Sequence, residues 1–197
     1  MKKKKSKDYY SLLVMKKSQP PNIVHKWRSD FNISDDLLRE YFILPHSVAL
    51  ESYVKAFQYK ILNNILYTNT KLCKIGFRAD DLCTFCEAER ETLYHLLYQC
   101  TYARQFWNDF ELYWFRLSNQ VVHLTLENVL FGMLSTQCPS HTLLNYFIII
   151  GKLFLWDCRR KQIHPKIQGY QNKIAIKYEI ERKINKKNFF EKKWIFK

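Results

Sequence analysis

The chain has 197 residues, a 47% apolar share and a formal net charge of +14. That apolar share supports a sizeable core, while four glycines and five prolines are too few for the turns of a β-sandwich or barrel. The charge is uneven: residues 1–28 hold nine Lys/Arg and one Asp, residues 29–156 hold ten against thirteen acids, and residues 157–197 hold thirteen against four.

Read in chain order, the elements are mostly helical. Residues 1–28 form a basic, flexible lead, broken at Pro20-Pro21. Ser34 can cap a short helix through Leu44, which Pro45 stops. Ser47 starts a longer helix in which Val54, Phe57, Ile61 and Ile65 share one face, and Asn69 and Thr70 end it. A cysteine-bearing loop follows. Thr92 caps a short helix carrying His95, with Cys100 at its exit. Residues 101–117 make the next helix, with Tyr102, Phe106, Phe110, Tyr113 and Leu117 along one face and Trp107 and Trp114 beside it. A shorter element spans Leu126 to Leu134. Pro139-Ser140 opens a helix to about Ile163, Pro165 interrupts, and a basic helix runs from about Ile167 to Phe190. The stretch Leu143–Trp156 is strongly apolar, but it is shorter than the roughly 20 residues of a membrane span, and Lys152 interrupts it. The expected fold class is mostly α: a small helical domain with a zinc-stapled loop and basic terminal extensions. The expected division is a lead over 1–28, a helical domain over 29–164 with a zinc-binding segment at 71–107, and a basic C-terminal helix or tail over 165–197.

The chemistry is concentrated in Cys83, Cys86, His95 and Cys100, a C-x2-C-x8-H-x4-C (CCHC) pattern. Three thiolates and one imidazole are a standard closed set for tetrahedral zinc. The C-x2-C half lets two sulfurs of one tight turn reach a single ion. With all four positions filled by protein, none stays open for water, so one structural zinc is expected and not a nucleophile-activating one. Lys2–Lys5 are not followed by an apolar stretch of signal-peptide type, so an intracellular, thiol-reducing location is expected and a disulfide is disfavoured. Cys73 could stand in as a ligand but reads better as a small core residue. Cys138 and Cys158 have no ligand-spaced neighbours. No Ser/His/Asp or Cys/His catalytic arrangement is visible, and neither an enzyme nor a small-molecule substrate is expected.

The residues around the motif carry a resemblance. Phe57-Gln58-Tyr59 with Ile61-Leu62, Thr68-Asn69, Lys74-Ile75-Gly76, Leu82-Cys83-Thr84-Phe85-Cys86, Glu91-Thr92, His95-Leu96, Cys100 and Phe106-Trp107 follow one another in order. This run resembles the zinc-binding segment downstream of the polymerase in LINE-type (non-LTR) retrotransposon reverse transcriptase polyproteins. Val129-Leu130-Phe131-Gly132 and the stretch from Leu144 to Arg159 look like the same family's C-terminal region. The resemblance implies a module that helps a polymerase hold its RNA, and an upstream reverse transcriptase domain as partner. Polymerase motifs are absent. Arg78-Ala79-Asp80-Asp81 has Arg where a polymerase palm motif needs an aromatic, and it reads as a polar loop before Cys83. The chain thus looks like a C-terminal portion detached from such a polyprotein.

The basic residues carry the functional expectation. Three thiolates leave a zinc centre with negative charge, so phosphate must be met by Lys and Arg. Lys71, Lys74, Arg78, Arg90 and Arg104 bracket the motif. Arg159, Arg160, Lys161, Lys166, Lys173 and Lys177 follow in the C-terminal part, continued by Arg182, Lys183, Lys186 and Lys187. RNA or DNA is the expected partner, with no membrane involved. The aromatics read mainly as core. Phe85, inside the C-x2-C turn, is the one most exposed to a base-stacking role. Lys2–Lys7 could act as a nuclear import signal. The expected location is the nucleus or a cytoplasmic ribonucleoprotein, not the secreted space.

Overall fold

The structure is a computed structural model, and it describes residues 22–134, 141–184, 190 and 193–194. Lys2–Lys7, Pro20-Pro21, Cys138, Pro139, Ser140, Lys186 and Lys187 lie outside the described residues. The chain divides into two compact units, residues 1–38 and 39–197.

The described residues are helical and contain no strand. The first unit holds α1 (Asn22–Phe31), so the basic lead expected through residue 28 gives way to helix at Asn22. Within it Arg28 pairs with Asp35 and the rings of Trp27 and Phe31 lie 6.0 Å apart. Helix α2 (Asp35–Val48) starts as its sequence requires. The backbone N–H of Leu37 donates to Ser34 Oγ at 3.3 Å, an N-cap hydrogen bond. Its end differs from expectation: Pro45 lies inside the helix. A proline removes one backbone donor, but the carbonyl of Pro45 still accepts from Ala49 N–H at 3.2 Å, and the helix continues one turn.

In the second unit, α3 is Ser52–Leu62, starting after Glu51 and not at Ser47. Val54, Phe57 and Ile61 are buried as their spacing predicts, but Ile65 is exposed. The helix stops before it because Asn64 adopts φ 47°, a left-handed conformation that Asn tolerates better than most residues. Asn69 opens a new short helix, α4 (Asn69–Lys74), instead of ending the old one. A π-helical turn covers His95–Gln99. It leads into α5 (Thr101–Ser118), followed by α6 (Leu126–Phe131), α7 (His141–Lys161) and α8 (Ile167–Ile184). Thr125 and Asn128 form a capping box at the start of α6.

Helix α7 is the centre of the unit. Its residues from Leu143 to Leu153 are all buried, against α3, α6 and α8. Helix α5 meets the core through Ala103, Phe106, Trp107, Phe110, Trp114 and Ser118. Tyr102 was expected on that face but lies at the surface, stacked on His164 at 4.1 Å. Each residue advances about 100° around a helix, so a stripe centred on Trp107 and Trp114 turns Tyr102 outward. Two glycines set close approaches. A Cβ on Gly151 would lie 2.8 Å from the Trp107 ring. Gly132 has φ 97°, and a Cβ there would lie 2.5 Å from Leu44 and 2.7 Å from Asn145 Oδ1. Asn145 clamps the chain at that point: it accepts from Met133 N–H at 2.7 Å and donates to Met133 C=O at 2.5 Å. No helix among the described residues is long and apolar enough to cross a membrane.

Candidate metal centre

Residues 82–90 fold back on themselves through an antiparallel bridge between Leu82 and Arg90. Cys83 N–H donates to Glu89 C=O at 2.7 Å, and Glu87 N–H donates to Cys83 C=O at 2.9 Å. Glu87 takes φ 53°, the left-handed residue that lets the chain reverse after Cys86. Phe85 N–H donates to Cys83 Sγ at 3.4 Å. This tight turn directs both sulfurs to one side. The preceding Arg78-Ala79-Asp80-Asp81 loop serves it: Asp80 Oδ1 accepts from Leu82 N–H at 3.1 Å, and Asp81 pairs with Arg90 at 2.6 Å.

The other two ligands come from the π turn. Thr92 Oγ1 accepts from His95 N–H at 3.1 Å, the cap expected from the sequence. Cys100 N–H then donates to His95 C=O at 2.8 Å. That i to i+5 bond defines a π turn. It is the geometric reason for the H-x4-C spacing: in an α-helix, residues five apart would be rotated by about 140°, whereas one π turn brings them onto the same side. The turn is anchored by Trp107 Nε1–H donating to Leu97 C=O at 2.7 Å and Tyr98 O–H donating to Leu124 C=O at 2.8 Å.

The four ligand atoms lie within 4.8 Å of one another. Cys83 Sγ and Cys100 Sγ are 3.9 Å apart, and Cys86 Sγ and His95 Nε2 are 3.3 Å apart. Tetrahedral zinc with bonds of about 2.3 Å to sulfur and 2.0–2.1 Å to nitrogen sets these edges near roughly 3.8 and 3.5 Å, so the donor set fits the ion. A disulfide needs sulfurs about 2.05 Å apart, and the cysteines here are free. His95 Nδ1 faces Glu89 Oε2 at 3.3 Å. That carboxylate would fix the ring with Nε2 on the side of the cysteine sulfurs, where it could serve as the fourth ligand. Cys100 is held below the ordinary thiol range by the hydrogen bond from Cys83, with the backbone N–H groups of Tyr102 and Ala103 adding to it. The Cys83 thiol is correspondingly pushed up by Cys100 and by burial. Cys100 thus sits at the positive end of α5, where a thiolate is favoured. Cys73 lies outside the cluster, its sulfur facing Ala79 C=O at 4.0 Å. Cys158 is buried, and burial pushes its thiol up to about 11.

Behind the metal turn lies a polar hub that the sequence did not announce. Glu91 is fully buried. Its Oε2 accepts from Thr84 N–H at 2.9 Å and Thr84 Oγ1–H at 2.7 Å; its Oε1 accepts from Asn69 N–H at 2.8 Å and Arg159 Nε–H at 3.0 Å. Asn69 donates to Leu82 C=O at 2.6 Å and accepts from Arg159 at 2.7 Å and Arg78 at 3.2 Å. Thr70 Oγ1–H donates to Glu91 C=O at 2.9 Å. The Thr68-Asn69 and Glu91-Thr92 pairs were the visible signal, yet without a distance between them their partnership could not be read.

The candidate nucleic-acid contacts separate into two groups. Lys74, Arg90, Arg104, Arg160, Lys161 and Lys166 are exposed, with Arg104 5.8 Å from the centre of the Tyr98 ring. Arg78 is also exposed but reaches Asn69 and Asp80. Others are engaged internally. Arg159 serves the hub, Lys71 donates to Asn64, Lys173 pairs with Asp157, and Lys177 pairs with Glu51 at 2.7 Å and donates to Tyr53 O–H. Phe85 is 3% exposed. It packs within the turn, because the two cysteines that flank it must face inward to meet the metal.

A family model described as zinc-binding in reverse transcriptase matches residues 45–107. No curated protein and no solved structure matches the chain. The matched segment contains all four cluster residues, so the chain carries a region similar to the zinc-binding segment of reverse transcriptases, with a donor set suited to one zinc ion.

Proposed function

We propose that the chain is a zinc-stabilised module that binds nucleic acid, RNA in the first place, in the manner of the C-terminal part of a LINE-type reverse transcriptase. The observation that carries this reading is the pairing of a closed metal centre with exposed surface cations. Four protein ligands leave no position for a substrate, so the ion's role is to hold the turn against the hub. On its surface Lys74, Arg104, Arg160, Lys161 and Lys166 are exposed, as is Arg90 beside its partner Asp81. The match to a reverse transcriptase zinc-binding segment supports the same reading. A nuclear or ribonucleoprotein location and the absence of catalysis follow from it as proposals.

The test is fluorescence anisotropy of the zinc-loaded chain with a labelled single-stranded RNA across salt concentrations. The expected result is binding whose affinity falls steeply with salt, as counterion release requires. Absence of binding at low salt overturns the reading. A second reading is an interaction domain that packs on a polymerase. It is favoured by one apolar groove on α5, where Leu112 is 58%, Phe115 44% and Val121 72% exposed. Concentration-dependent self-association relieved by a reverse transcriptase domain supports that alternative.

A further inference from the structure

A groove of about 550 Å³ opens where α3, the loop after it, α7 and α8 meet. None of the metal ligands lines it. Its walls include Tyr53, Tyr67 and Trp156, and its charged residues are Lys60, Arg160, Lys173 and Asp157. Tyr53 and Tyr67 are 52% and 61% exposed. Large aromatic faces left in water lose the contacts a core would give them, and they mark a surface suited to a flat partner.

The charges say which partner. Asp157 is neutralised by Lys173, and Lys177 lies over the Tyr53 ring, 4.5 Å from its centre. Arg159 covers Trp156 at 4.7 Å. Lys60 and Arg160 are exposed and have no acidic partner among the described residues. The groove therefore combines aromatic faces, a positive balance and two unengaged cations at its rim. A base offers a flat π-face and its neighbouring phosphates offer negative charge, so a single strand matches both features at once. A duplex keeps its base faces stacked inside, and an aliphatic peptide leaves the cations unanswered.

We propose that this groove receives an unstacked base of a single-stranded nucleic acid, with Lys60 and Arg160 holding the adjoining phosphates. The proposal rests on the nucleic-acid reading above and relocates its main contact from the metal turn to the α3–α7 groove. Stacking on one aromatic accounts for about a fivefold to hundredfold change in affinity on truncation. Each lost phosphate contact lowers the salt slope on a single strand by about 0.7.

The experiment uses the full zinc-loaded chain and labelled 12-residue single strands, one RNA and one DNA of the same sequence. Tyr67→Ala, Tyr67→Phe, Lys60→Ala and Arg160→Ala are compared with Lys74→Ala and Arg104→Ala, which lie outside the groove. Thermal unfolding of each variant separates lost contact from lost fold. The expected result is at least fivefold weaker binding for Tyr67→Ala, retained binding for Tyr67→Phe, and shallower salt slopes for Lys60→Ala and Arg160→Ala. A 4-thiouridine strand should crosslink within the groove. If the native chain binds but the groove variants bind equally well, the groove assignment is wrong and the nucleic-acid reading stands. If the native chain binds neither strand at low salt, both fall. Equal affinity for RNA and DNA supports recognition through base and phosphate alone.

Discussion

Lys152 shows how much a single residue can bend the expectations of a sequence. It was legible only as an interruption in an apolar run, an argument against a membrane span. It lies fully buried in the middle of α7, where its Nζ donates to Gln58 Oε1 at 2.6 Å and Leu130 C=O at 3.1 Å. Burial without a carboxylate partner holds its pKa well below the ordinary lysine value of 10.5. The unfolded chain therefore carries a proton that the folded chain releases at lower pH. Stability gained from this residue rises as pH increases from the folded pKa to 10.5, because the unfolded state binds more protons over that interval. Urea unfolding midpoints of the native chain should climb with pH relative to those of Lys152→Met; parallel curves would show that Lys152 is charged in place. Glu91 gives a second test at this scale. Glu91→Ala removes the acceptor for Thr84, Asn69 and Arg159 together. Leaving the partly buried Arg159 without its carboxylate costs up to about 3 kcal/mol, and denaturant titration should register a loss of that order. The sequence showed the ligands at this site because their spacing is local. It hid the hub because Asn69, Glu91 and Arg159 come together only through the fold.

At the scale of elements, boundaries failed where a local signal met a tertiary demand. Pro45 is a strong stop by its chemistry, yet α2 passes through it, and Leu44 and Val48 on either side are buried. The apolar repeat through Ile65 overran α3 because periodicity cannot see the left-handed Asn64. The face of α5 was read one step off because Tyr102 and Trp107 are equally apolar on paper. The order of α2, α3, α5, α7 and α8 was legible, since their apolar stripes are long, whereas α1 and the short α4 were not read as helices. The π turn was not, because no residue type marks it. Its necessity can be tested by deleting Gln99, which is exposed. Removing one residue closes the turn to α-helical i to i+4 spacing, so α5 must either turn by about 100° away from its buried face or give up Cys100 as a ligand. Metal stoichiometry should fall, and the cobalt-substituted chain should lose the absorption of a three-sulfur tetrahedral site. Retention of both would mean that the H-x4-C spacing has slack. In α7, Gly151→Ala sets a helix gain of about 1 kcal/mol against a methyl group 2.8 Å from the buried Trp107 ring. Overpacking of this kind costs about 1–3 kcal/mol, so a lower melting temperature is expected.

For the whole molecule, net charge overstated what faces outward. Arg159, Lys173 and Lys177 contribute to the basic C-terminal count but are spent on Glu91, Asp157 and Glu51. Composition records a charge and not its partner. Metal removal should be the largest single perturbation of the 39–197 unit, because thiolate and imidazole ligands convert binding energy into folding energy. A chelator should lower the melting temperature of the native chain sharply and leave that of Cys83→Ser nearly unchanged. Arg159 has a further consequence. One edge of its guanidinium grips the hub behind the metal turn, and the same group lies over Trp156 in the α3–α7 groove. Two sites that share a side chain share free energy. Whatever factor zinc lends to the groove's affinity for an oligonucleotide, the oligonucleotide must return to the zinc. The chain would then hold its metal more tightly when loaded than when bare, and an equilibrium chelator competition run with and without a strand would read that reciprocity directly.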